Sequence, residues 1–71
     1  MKPAEIRLLS TEEIRGRLED ARQEYMNLRF QIVTGQMMDT SRLKKTRRDI
    51  SRFETILHQR ELEALQELDH E

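Results

Sequence analysis

Asn27-Leu28-Arg29-Phe30-Gln31, then Thr34-Gly35-Gln36, then Thr46-Arg47-Arg48-Asp49-Ile50-Ser51-Arg52 run in order through the middle of this chain. They join the end of one apolar-periodic run to the start of another across a single glycine. Gly35 is the residue best able to take the left-handed conformation that closes a helix, so a helix is expected to end near Thr34. The same stretch carries arginines and an aromatic ring at positions that core packing does not require.

On the N-terminal side, Ser10 followed by Glu13 fits a capping box, which predicts a long helix over 11–34. Pro3 suits a first helical position, so a short helix is expected over 3–8. On the C-terminal side, Asp39 or Thr40 is suited to cap a second long helix over 40–68, with no glycine or proline to interrupt it. Gly16 is the weak point of the first long helix, at about 1 kcal/mol relative to alanine.

Ile14, Leu18, Ala21, Tyr25, Leu28 and Ile32 recur at alternating spacings of four and three, and so do Leu43, Thr46, Ile50, Phe53 and Leu57. These are two coiled-coil seams. A connection of about five residues makes the two helices antiparallel neighbours. Folding there sets Ile32 against Leu43, Leu28 against Thr46, Tyr25 against Ile50, Ala21 against Phe53 and Leu18 against Leu57. Every pair of positions adds to 74 or 75, so the seams register without a slip. The same rule, carried on, predicts Leu65 against Leu9 and Leu68 against Ile6. The expected fold is all-α, one antiparallel two-helix coiled-coil hairpin over 1–71 with a short N-terminal helix.

With 71 residues, 35% of them hydrophobic and no tryptophan, the chain has little core to build a catalytic pocket. A chain this short is marginal unless helix packing or a partner helps, and a partner is expected. It has no cysteine, which excludes disulfides and thiolate metal sites. No apolar run approaches the roughly 20 residues of a membrane span, and the N-terminus lacks the apolar core of a signal peptide. A soluble cytoplasmic protein is expected. His58 and His70 have no metal-ligand spacing, no glycine-rich phosphate loop is present, and the carboxylates lie on solvated helix faces. Neither an enzyme nor a cofactor is expected.

The formal net charge of −1 conceals a segregation. Arg42, Lys44, Lys45, Arg47, Arg48 and Arg52 stand against Asp49 alone, whereas Glu54, Glu61, Glu63, Glu67, Asp69 and Glu71 stand against Arg60 alone. Lys44 faces Arg48, and Arg48 faces Arg52, one helical turn apart. Like charges at that spacing destabilise a helix by a few tenths of a kcal/mol unless something anionic offsets them. A nucleic-acid phosphate backbone is the simplest such partner; an anionic membrane, an acidic protein and a plain solvated face are the other readings. Phe30 lies about 160° from its seam, with Met26 and Val33 near it on the outward side. Three apolar residues together beside the turn suggest a contact surface rather than scattered exposure.

In their order and spacing, Asn27-Leu28-Arg29-Phe30-Gln31, Thr34-Gly35-Gln36, Arg42-Leu43, Arg47-Arg48-Asp49-Ile50-Ser51-Arg52 and Thr55 resemble the large-subunit ribosomal protein twenty-nine family, over nearly the whole chain to about His58. The resemblance implies a small helical structural protein of the ribosome, a monomer there, bound to large-subunit ribosomal RNA at the rim of the nascent-chain tunnel exit. It further implies ribosomal protein twenty-three of the same subunit as a neighbour, with chaperones and targeting factors approaching nearby. On that basis Arg29, Arg42, Arg47, Arg48 and Arg52 are expected at phosphates, with Lys44 and Lys45 acting as point charges. Gln31, Thr34 and Gln36 are expected at sugar or phosphate oxygens, Gly35 at a close backbone approach, and Thr55 at a hydroxyl contact. Met26, Phe30 and Val33 are expected to meet RNA or a neighbouring protein. Two features depart from the family pattern. Glu54 replaces a usually basic residue, so RNA contact is expected to end near Arg52. The acidic stretch from Glu61 to Glu71 extends past the usual end, and a solvated, frayed helix end is expected there. The alternative of a different class is a coiled-coil protein-interaction module without RNA binding.

Overall fold

A computed structural model describes residues 1–69. Three helices follow in order, α1 (Pro3–Arg7), α2 (Thr11–Val33) and α3 (Ser41–Asp69), and no strand occurs among the described residues. The two long helices pack against each other as a hairpin with α1 beside them, in a body 56 × 19 × 15 Å.

The helix ends follow from local chemistry. Ser10 stands in extended backbone and its hydroxyl oxygen accepts from the Glu13 amide at 3.2 Å, starting α2. Gly35 has φ +80°. Its amide donates to the Ile32 carbonyl at 3.1 Å and the Gln36 amide to the Gln31 carbonyl at 2.9 Å, the paired bonds of a Schellman ending. The Asp39 carboxylate accepts from both the hydroxyl (2.6 Å) and the amide (2.9 Å) of Ser41 at the head of α3. Those two bonds, the hydroxyl first, hold its pKa below the ordinary carboxylate value.

Both seams face inward. Ile14, Leu18, Leu28, Phe53 and Ile56 are buried, and Ala21, Ile50 and Leu57 pack against the main cluster. Buried Thr46 satisfies its hydroxyl by donating to the Arg42 carbonyl at 2.9 Å, so a polar side chain sits in the seam at no lost hydrogen bond. Ile56 was not among the seam positions read from sequence. It widens the buried stripe of α3 beyond a strict coiled-coil seam, because α3 packs on two neighbours rather than one.

The second neighbour is α1, and it overturns the pairing expected for the hairpin's open end. Ile6 is fully buried among Phe53 and Ile56, not against Leu68, and Leu65 and Leu68 are 57% and 69% exposed. The chain reverses at Leu8–Ser10, so α1 runs alongside α3 in the same direction. The Met1 ammonium lies 3.3 Å from Asp49 Oδ1 and the Met1 carbonyl accepts from Arg52 at 2.6 Å. At the other end, Arg60 donates to the Arg7 carbonyl (3.1 Å), the Leu9 carbonyl (2.8 Å) and Thr11 Oγ1 (3.0 Å). Hairpin and α1 therefore end together near Arg60. Beyond it α3 continues for about 13 Å at 1.5 Å per residue, helical to Asp69 rather than frayed, with every residue from Glu61 to Leu68 exposed. His70 and Glu71 lie outside the described residues.

Candidate nucleic-acid interface

Lys44, Arg47, Arg48, Ser51 and Arg52 line one shallow groove on the outer side of α3, opposite the seam. The helix period puts them there: Lys44, Arg48, Ser51 and Arg52 recur at spacings of four, three and one across the face that core contacts leave free. Four cations thus meet in a groove about 12 Å long, given 1.5 Å of rise per residue. Among the described residues, Lys44, Lys45, Arg47 and Arg48 enter no ion pair with the chain's own carboxylates. Their charge is available to an external anion.

The other expected contact residues fall into three settings. Lys45 is exposed on a flank of α3 and does not line the groove. Arg42 reaches Glu24 at 3.5 Å, a long, exposed pair of small energetic weight that an anionic partner could displace. Arg52 is in the groove but is also structural, since one of its nitrogens holds the Met1 carbonyl. Among the described residues that is its one side-chain hydrogen bond, so the exposed guanidinium keeps further donors for a partner.

At the turn, Gln31 is half-buried while Thr34, Gly35 and Gln36 are exposed. Thr34 already donates its hydroxyl proton to the Phe30 and Gln31 carbonyls at 3.0 and 3.2 Å, so towards a partner it offers lone pairs only. Nothing lies within 4 Å of where a Gly35 side chain would begin. Its glycine identity answers to the positive φ, and the open space leaves the backbone approachable. Beside the turn, Met26, Arg29, Phe30 and Val33 line a second shallow groove, with the Arg29 guanidinium 5.9 Å from the Tyr25 ring centroid. Phe30 is 66% exposed, well beyond what a packed aromatic shows.

Two features escaped the sequence reading. Arg7, carried by α1, lines a further groove together with Arg52 and Thr55, so the basic surface does not stop at Arg52. Finding it required knowing that α1 lies along α3. Glu54, the acidic residue beyond Arg52 at which RNA contact was expected to end, pairs with Arg22 across the hairpin at 2.8 Å. Its charge is thereby turned to the α2 side of the molecule. No cluster of potential metal ligands occurs among the described residues, and His58 is exposed. No described helix is long and apolar enough to cross a membrane.

Fold and surface together define a small helical hairpin protein with one cationic face and no catalytic constellation among its described residues. Comparison with known proteins gives the class its family. The family profile described as "Ribosomal L29 protein" matches residues 4–60. The large ribosomal subunit protein uL29 of Thermosipho africanus is 53% identical over 62 residues, covering 87% of this chain and 94% of that protein. The uL29 of Moorella thermoacetica is 53% identical over 62 residues (87% and 92%), and that of Geobacillus stearothermophilus 47% over 64 residues (90% and 97%). The chain belongs to the ribosomal L29 protein family. As a member it is a structural constituent of the large ribosomal subunit, takes part in translation as a ribosome-associated cytoplasmic protein, and is not an enzyme.

Proposed function

We propose that this protein binds large-subunit ribosomal RNA through the cationic face of α3. The observation that carries the reading is the groove of Lys44, Arg47, Arg48 and Arg52, none of whose four cations has an intramolecular counter-ion among the described residues. Like charges one helical turn apart persist in a helix at low cost when phosphates neutralise them. Arginine forks suit phosphate oxygens, and Lys44 and Lys45 add point charges. Arg29 and Arg42 extend the contact towards the turn, where Gln31, Thr34, Gly35 and Gln36 meet sugar or phosphate oxygens. Thr55 adds an acceptor further along α3. Recognition is of backbone and shape, because no aromatic platform lines the cationic groove.

The position of the protein, at the rim of the nascent-chain tunnel exit beside ribosomal protein twenty-three, rests on the family resemblance. In that setting the Met26/Phe30/Val33 patch packs against RNA or the neighbouring protein, the protein is a monomer within the ribosome, and chaperones or targeting factors approach the same rim. The exposed patch also favours one second reading, a protein-interaction module without RNA binding. That reading predicts salt-insensitive assembly that is lost in Phe30→Ala.

The test is sucrose-gradient sedimentation of a cell extract carrying the wild-type chain or a Lys44→Glu/Arg48→Glu variant. Wild type is expected with large subunits at moderate salt and to be released at high salt, whereas the variant is released at lower salt with unchanged helicity. Arg52 is left intact because its reversal would also free the Met1 carbonyl. Equal retention of both chains at every salt concentration would contradict the proposal.

A further inference from the structure

The groove between α1 and α3 has a different character from its cationic neighbour. It is lined by Pro3, Arg7, Ser51, Arg52, Thr55, Ile56 and Gln59, and encloses about 250 Å³. That is below the roughly 300–1,000 Å³ of pockets for drug-sized ligands, and so suits a single flat group. Pro3 supplies apolar surface over a floor of buried Ile56, and Arg7 and Arg52 supply charge. Arg52 belongs to both grooves, so the two are continuous.

We infer that this slot receives one unpaired nucleotide of the bound RNA, its base or ribose against Pro3 and Ile56 and its phosphate at Arg7 and Arg52. The inference rests on the RNA-binding reading above and deepens it. The hydroxyls give the slot a polarity. Ser51 donates its proton to the Arg47 carbonyl at 3.1 Å and Thr55 donates to the Ser51 carbonyl at 2.8 Å. With those protons committed, both oxygens face a ligand as acceptors, matched to a ribose 2′-hydroxyl or a base N–H. The Gln59 amide can both donate and accept, so it does not restrict the edge presented. A stacked double helix keeps its bases out of such a slot, whereas an unpaired nucleotide offers a free face, a donor edge and a phosphate together.

The walls are set before any ligand arrives. Arg52 is held by the Met1 carbonyl at 2.6 Å, and the far end of α1 is held by the three bonds from Arg60. A preformed slot avoids the ordering that weakens binding to mobile surfaces.

The experiment uses protein-free large-subunit ribosomal RNA with the full-length chain, reading affinity across a salt series and 2′-hydroxyl acylation at each nucleotide. Thr55→Phe fills the slot without changing charge, and Arg7→Ala removes a rim cation whose side chain makes no intramolecular hydrogen bond among the described residues. Wild type is expected to protect an unpaired nucleotide that becomes reactive in both variants. Thr55→Phe binds several-fold more weakly with the salt slope unchanged, and Arg7→Ala reduces the slope by about 0.7–0.9, the value of one phosphate contact. Lys44→Glu/Arg48→Glu reduces the slope further but leaves slot protection in place at low salt. A Thr55→Phe chain of native helicity that binds and protects as wild type overturns the slot while leaving RNA binding intact. Should that variant not fold, an Arg7→Ala chain with the wild-type footprint overturns it equally. Absence of salt-dependent binding by the wild type removes the RNA-binding reading, and the slot with it.

Discussion

The two ends of α3 form a natural comparison. Residues 42–53 and 61–68 lie on one uninterrupted helix, and both present charge outward. In the first segment buried Thr46 and Phe53, with half-buried Ile50 between them, run under the cations, and α1 and α2 hold the stripe from two sides. In the second, Leu62, Leu65 and Leu68 are exposed, and none of them belongs to the core cluster of the described residues. Apolar side chains alone do not make a core; a facing element does. The difference also separates two kinds of evidence. Inward residues of the first segment explain stability, and its outward Lys44, Arg47, Arg48 and Arg52, without counter-ions among the described residues, form the face proposed to bind RNA.

Single truncations should break the comparison most sharply. Phe53→Ala is expected to destabilise the hairpin by about 3–5 kcal/mol, the usual range for a buried aromatic, enough to unfold much of so small a protein. Leu65→Ala, on the unpartnered end, should stay within about 0.5 kcal/mol of wild type. Urea denaturation followed by circular dichroism measures both, and equal losses at the two positions would mean that the overhang is packed after all.

The next effect sharpens the boundary between the segments. Among the described residues, Arg60 is the last of α3 whose side chain hydrogen-bonds to another element, through three bonds around the α1–α2 turn. Arg60→Ala is expected to cost about 2 kcal/mol, in the range of hydrogen bonds involving a charged group. Amide exchange should show α1 opening first while the Leu28–Thr46 end of the hairpin keeps its protection. Uniform loss along both long helices would contradict a local clamp.

A smaller contrast lies in the two glycines. A Cβ at either would meet no atom within 4 Å, but only Gly35 has positive φ. Gly35→Ala should destabilise by about 1 kcal/mol from left-handed strain, and Gly16→Ala should stabilise by a similar amount, about 1 kcal/mol, through helix propensity. Opposite shifts in thermal midpoint are the expected readout.

Much of the hairpin was legible in the sequence because its signals are local or strictly periodic. Ser10 as a cap, Gly35 as a stop and two seams in complementary register each follow from residues within a few positions of one another. The path of α1 was not legible. Extending the register past Leu18 assumes that the chain continues straight, and the reversal at Leu8–Ser10 makes that assumption fail. Ile6 therefore meets Phe53 and Ile56, leaving Leu65 and Leu68 without partners. The candidate site divides along the same line. Lys44, Arg47, Arg48 and Arg52 could be grouped from the helix period alone. Arg7 could not, because its nearness to Arg52 and Thr55 exists only once α1 has folded back. Nor could the double duty of Arg52, whose hydrogen bond to Met1 spans 51 positions.

The most direct test of the central claim is the dependence of affinity on salt, measured for this protein and isolated large-subunit ribosomal RNA. If the free cations of α3 carry binding, log affinity falls linearly with log salt concentration. Lys44→Glu/Arg48→Glu should then flatten that line by at least about 1.4–1.8, the slope of two phosphate contacts. A wild-type affinity indifferent to salt, or a variant with the wild-type slope, would contradict the account.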